Sequence, residues 1–492
     1  MKRFALVVVA LFVALGAVVI VRTLLVESLQ PPEEDPVQID VDASALAARF
    51  AQALTYPTIS NQDRGNVDVA AFEGLHQHFA ESYPLVHETL MLETVNDLSL
   101  LYTWTGRDPS KPPILLMGHQ DVVPVIPGTE ADWLHPPFGG VIENDVVWGR
   151  GALDDKSSVV AILESVELLL SEGHQPERTI YLAFGHDEEV GGPEGAGAIA
   201  ELFEQRGIGP FGLVLDEGGA IADGIMPGYD GRAAIVGIAE KGFISLELRV
   251  EGDGGHSSTP PDVTNIGILA AAIERLQENQ FPARLDGAAV EMFRYLAPEL
   301  PFAARAVMSN LWLFRPVLVR LMLQEPASAA MVRTTTAPTI INGGVKDNVL
   351  PINATAVVNH RILPGDTRDS VMQRVNDVID DSRVQVRDIS TSHDPSAVSS
   401  PDSAEFLLLG KTLRQVIGND VIVTPYLVMG GTDAKYYSGK SPAVFRFLPV
   451  VMGADGLTMV HGTNERVDVA SMVLAVRYMT QFIRNTDELP AD

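Results

Sequence analysis

Two short apolar runs with one amphipathic segment between them set the architecture of this 492-residue chain. Ile114-Leu115-Leu116-Met117 and Thr179-Ile180-Tyr181-Leu182-Ala183-Phe184 read as buried strands, and Ser157 to Ser171 between them has helical spacing. Strand, helix, strand in that order predicts α/β construction. In open α/β sheets ligands gather beyond the carboxyl ends of the strands. His119, Glu188 and Asp216 each follow an apolar run at such an end.

The length exceeds what a single core holds, so two domains are expected, and a 46% apolar composition supplies both. A formal charge of -29 argues against nucleic acid or an anionic surface as the partner of the globular body. The chain has no Cys, which removes disulfides and thiolate metal sites but locates nothing. Lys2-Arg3 precedes an unbroken apolar run from Phe4 to Val21, close to the roughly 20 residues of a spanning helix. It continues past Arg22 without a clear cleavage site, so residues 1–29 read as a signal anchor with the body exported, the alternative being a cleaved signal peptide and a secreted protein. The membrane is then met through this helix only. Residues 30–40, with Pro31, Pro32 and Pro36 among acids, form an extended linker.

Helical spacing recurs over Asp42–Leu54 and Val69–Ala80. After Lys241 the pattern changes: Phe243 to Val250 alternates, Asn265 to Asn279 is helical, and Thr339–Ile341 and Ala354–Val358 are further strands. Residues 240–362 are therefore expected as an insertion in a discontinuous catalytic domain, 41–239 and 363–486. Residues 283–336 are apolar but poorly periodic and receive no assignment.

His119-Gln120-Asp121 places a carboxylate where it can accept the second ring N–H of the histidine and fix its tautomer. An isolated pair of this kind is more often a surface feature; here it is one part of five. Asp154, in the tight Gly149-Arg150-Gly151-Ala152-Leu153-Asp154-Asp155-Lys156 stretch, has two oxygens that suit two cations. Glu188-Glu189 are adjacent acids behind a strand, costly unless a cation or shared proton neutralises them. Alternation of direction makes Glu189 a ligand and Glu188 the general base. The expected sets are His119, Asp154 and Asp216 on one zinc and Asp154, Glu189 and His461 on the other, two Zn2+ per subunit with Mn2+ or Co2+ as substitutes. Hydrolysis of an amide is the matching chemistry.

In content and order, Gly118-His119-Gln120-Asp121-Val122-Val123-Pro124, the Gly149–Lys156 stretch, Asp187-Glu188-Glu189-Val190-Gly191-Gly192 and His461-Gly462-Thr463-Asn464-Glu465 resemble the co-catalytic zinc peptidase family M20. With Tyr56-Pro57-Thr58-Ile59-Ser60 and the hydrophobic N-terminus, the chain is most similar to its branch of Gly-X carboxypeptidases and N-fatty-acyl-amino-acid synthase/hydrolases. The resemblance implies a zinc-exopeptidase-like domain, a mixed central sheet flanked by helices, with an inserted α+β, ferredoxin-like lid or dimerisation domain. It implies that His256 stabilises an oxyanion, often from across a homodimer. Asn348, Arg361 and the loop Gly430-Gly431-Thr432 would bind substrate, a small peptide or an N-acyl amino acid. The same scaffold run in reverse would be a synthase; an inactive exported binding module is the remaining alternative, which Glu188 speaks against.

Overall fold

The computed structural model describes residues 1–61, 66–226 and 229–490. Its larger body is a ten-stranded mixed sheet. Ile114–His119 lies at the centre, parallel to Ile180–Gly185 on one side and Leu213–Asp216 on the other. The unbroken apolar character of Ile114–Met117 has a simple cause, since Ile114 and Leu116 pack on one face with Val159 and Leu163, while Leu115 and Met117 pack on the other with Ile199 and Phe203. Helices Lys156–Ser171 and Val469–Asn485 cover the first face, and Ala196–Gln205 the second. The helix at Ala43–Ala53 is capped by Asp42, whose carboxylate accepts from the backbone of Ser44 and Ala45.

The smaller body is an antiparallel sheet ordered Thr335–Gly343, Asn353–Ile362, Gly242–Glu251, Val384–Asp388. Alternation along Gly242–Glu251 sends Ile244, Leu246, Leu248 and Val250 to a core shared with helices Asn265–Glu278 and Arg368–Ile379. The other face, with Phe243, Ser245, Val357 and Arg361, looks onto a cavity. The insertion therefore extends past residue 362, where the sequence reading ended it. The physical reason is that Val371, Val375 and Ile379 bury their apolar stripe on the small sheet rather than the large one. The return comes at Ser396 and Ser399, whose N–H groups donate to Glu240 and Ile238 carbonyls.

The unassigned interval is helical: Gly287–Leu296, Phe302–Met308, Leu311–Met322 and Pro326–Ala330. It packs on the edge of the large sheet, with Leu285, Ala289, Phe293 and Met322 against Ala233 and Ile422. Although it lies within the insertion in sequence, it covers the catalytic body. The linker is tied down as well, since Gln30 exchanges hydrogen bonds with the Val423 backbone and Val37 N–H donates to Gln415 O.

The chain first crosses from the large sheet to the small one over a single residue, Lys241, between strands Arg232–Glu240 and Gly242–Glu251. Burial lowers the Lys241 ammonium pKa to about 7, and it donates to the Ala330 and Arg333 carbonyls. Beside it, Glu240 and Arg446 form a fully buried ion pair at 3.0 Å.

Candidate metal centre

His119 is the last residue of the central strand, and Asp154 follows the tight turn that leads into helix Lys156–Ser171. His119 Nε2 lies 2.9 Å from Asp154 Oδ1, and His461 Nε2 lies 3.0 Å from Asp154 Oδ2 and 3.1 Å from Glu189 Oε2. Two groups able to hold a metal share Asp154: His119, Asp154 and Glu217, and Asp154, Glu189 and His461. The donors are imidazole nitrogens and carboxylate oxygens, which suit divalent cations. Glu189 Oε1 is buried and makes no hydrogen bond, so it has a lone pair to give.

The group around His119 contains Glu217 where the sequence points to its neighbour Asp216, whose Oδ1 is also buried without a hydrogen bond. Asp216, the last residue of its strand, turns Oδ2 to the N–H of Ala434 at 2.6 Å. The next residue swings Glu217 Oε1 to 3.7 Å from His119 Nε2, and Gly218 completes the turn at φ +103°, a conformation glycine takes without strain. Glu217→Gln should therefore reduce metal content by about one equivalent, as counted by elemental analysis, while Asp216→Asn retains two.

Asp121 organises the floor. One oxygen lies 3.3 Å from His119 Nδ1 and accepts from Glu188 N–H; the other accepts from Glu189 N–H and Ser60 Oγ. Burial opposes its ionisation, yet the His119 bond holds its pKa below the usual carboxylate range. Asp154 behaves alike, with the two imidazoles outweighing burial, while bonds to Asp154 and Glu189 push His461 up to about 10. Burial raises Glu188, Glu189 and Glu217, and neighbouring acids push the same way. Such crowded, buried negative charge is what bound cations relieve.

Besides Glu217, three residues with no role assigned from the sequence stand around the site. Glu465 is fully buried, pairs with Arg150 at 2.6 Å and accepts from the N–H groups of Gly151, Leu153 and Asp154, clamping the loop that carries the shared ligand. Glu465→Ala leaves the Arg150 charge buried and unpaired, so it should cost about 3–5 kcal/mol of stability in denaturant titrations. Lys435 Nζ lies 4.0 Å from Glu188 Oε1, and His393 lines the same cavity. The only sequence signal was the Glu at the end of the His461 motif.

The cavity, about 630 Å³, runs from Glu188, Glu189 and His461 to the open face of the small sheet. Arg361, Gly430 and Gly431 line it as expected positions would; Thr432 does not, because its N–H and Oγ1 are bonded to the buried Glu240 carboxylate. His256 and Asn348 sit together where two segments remote in sequence, Gly255–His256 and Val349–Leu350, form a short antiparallel ladder; Ser257 N–H donates to Asn348 O, and neither side chain lines the cavity. His256 Nδ1 instead lies 2.8 Å from Ser258 Oγ.

Residues 115–485 match the sequence profile of peptidase family M20/M25/M40. The chain belongs to this family. It is 40% identical over 487 residues to the probable carboxypeptidase S-like 2 of Dictyostelium discoideum, covering 97% of this chain and 93% of the relative. It is 37% identical to the human N-fatty-acyl-amino acid synthase/hydrolase PM20D1, covering 90% and 88%. The M20 metallo-carboxypeptidase Sso-CP2 of Sulfolobus solfataricus shares the fold at a TM-score of 0.64 and 19% identity, covering 90% of this chain and 99% of its own. This M20 protein is accordingly a hydrolase of amide or peptide bonds, built as a mixed α/β sheet with flanking helices, with a site suited to metal ions.

Proposed function

We propose that the protein is a di-zinc hydrolase that cleaves the amide bond on the amino side of a residue with a free carboxylate, either a C-terminal amino acid or an N-acyl amino acid. The observation that carries this reading is the pair of ligand groups sharing Asp154 at one end of a cavity that also holds Glu188 and two cations, Arg361 and Lys435. His119, Asp154 and Glu217 would hold one ion and Asp154, Glu189 and His461 the other; when bound, they supply an acidified water and a polarised carbonyl. Glu188 then takes a proton from the attacking water and returns it to the leaving nitrogen. Arg361, stacked 4.8 Å over Phe243, presents its guanidinium fork to the substrate carboxylate. The wall of Phe243, Ile340, Val357 and Ile389 accepts an apolar side chain or acyl group.

Relatives carry the name synthase/hydrolase, and a catalyst that lowers the barrier to cleavage lowers it equally for condensation. High concentrations of fatty acid and amino acid should therefore drive net amide formation here. The N-terminal helix Lys2–Leu25 supports anchoring of an exported enzyme, since it is apolar from Phe4 to Val21 and carries two of its three positive residues, Lys2 and Arg3, at the start, with Arg22 in its last turn. The deciding experiment strips the protein with a chelator, restores it with Zn2+, Mn2+ or Co2+, and offers dipeptides and long-chain N-acyl amino acids. Metal-dependent release of free amino acid supports the reading; no turnover of any member with any ion sinks it.

The base has a testable pH signature. It must be ionised to act, and burial raises its pKa while Lys435 opposes that rise. Activity is thus lost as pH falls through the Glu188 pKa, and Lys435→Met should move the acid limb of the kcat/KM profile to higher pH.

A further inference from the structure

We propose that helices Phe302–Met308 and Leu311–Met322 form a second membrane contact, lying in the headgroup layer beside the N-terminal helix. The proposal rests on the reading of that helix as an anchor and adds a surface to it. These helices carry exposed apolar side chains where a soluble body would carry polar ones: Phe302 is 52% exposed, Trp312 54%, Val317 57% and Leu321 54%.

Their attachment fixes their depth. Asn310, at the corner between the two helices, is fully buried; its Nδ2 donates to Thr23 Oγ1 at 3.2 Å and to Val19 O at 3.4 Å, while its Oδ1 accepts from Trp312 Nε1. The 24 residues of Lys2–Leu25 span about 36 Å at about 1.5 Å each, slightly more than a hydrocarbon core. Val19 and Thr23 lie in its last two turns, so the corner sits at the exit level, where Trp is favoured.

Charge selects the occupant. Between Pro301 and Gln324 there are three arginines, Arg305, Arg315 and Arg320, and no acid, in a chain of net charge -29. Guanidinium heads that reach lipid phosphate while their stems lie along apolar surface suit an anionic bilayer. Leu24 and Leu25 of the N-terminal helix are exposed beside this patch, and a bilayer covers both surfaces at once.

The absence of Cys permits single-site labelling of the full-length chain. Spin labels at Val9→Cys, Trp312→Cys, Leu321→Cys and Val345→Cys would be read for oxygen against nickel-chelate accessibility in phosphatidylcholine vesicles containing phosphatidylglycerol, with amide hydrolysis confirming that each patch variant folds. Val345, 95% exposed on the small domain, reports water. The Trp312 and Leu321 labels should resemble Val9, and Arg315→Glu with Arg320→Glu should raise nickel access at Leu321 several-fold. Labels at 312 and 321 as wet as Val345, with Val9 embedded, would overturn the contact and leave the anchor standing. A wet Val9 overturns both, and label-to-label broadening at Trp312 would assign the patch to a second copy of the chain instead.

Discussion

Glu188→Gln should lower kcat on an amide substrate by about 10²–10⁴-fold and leave metal content unchanged. The separation follows from position. Glu188 belongs to neither ligand group, and its backbone N–H, which the substitution keeps, is what binds Asp121. The amide retains the shape of the carboxylate but cannot accept the proton. Steady-state kinetics on one dipeptide and one N-acyl amino acid, with elemental analysis of the same preparation, read both quantities. Undiminished turnover would remove the base from Glu188, and loss of metal would make it a ligand.

A second substitution has the opposite signature. Asp154→Ala removes the side chain common to both groups, so both metal equivalents should leave together and activity should fall to background. This is a larger effect than the roughly 10–100-fold that loss of a supporting residue costs. It also strips His119 and His461 of the carboxylate that lies 2.9 Å and 3.0 Å from their Nε2 atoms. His461→Ala, by comparison, touches only one group. A variant at position 154 that kept one tightly held equivalent would mean that the two groups assemble independently.

The strand-end placement of His119 and Glu188 was legible because the strands before them are covered on both faces, which leaves an unbroken apolar run in the sequence. The choice between Asp216 and Glu217 turns on local geometry. A run of apolar residues gives the end of a strand to within a residue, but the turn at Gly218 decides which of two consecutive acids faces the metal. Likewise, the apolar stripe of the helix Arg368–Ile379 carries no mark of which sheet it covers, and only the fold puts Val371, Val375 and Ile379 on the small one. The helices from 302 to 322 hid for a different reason. Their periodicity is blurred because one side packs on the large sheet while Trp312, Val317 and Leu321 remain apolar on the other. His256 and Asn348 are named through family likeness alone, and the short ladder that joins their segments stands clear of the cavity, so no spacing in the sequence could have placed them.

Lys241 gives the two slabs a common pivot. A one-residue joint cannot absorb rotation within a slack loop, and its side chain is gripped by carbonyls at the end of the helical cap. The joint between the slabs is thus also the tie to that cap, and the wall of the cleft and the cap's apolar edge are moored to one buried ammonium.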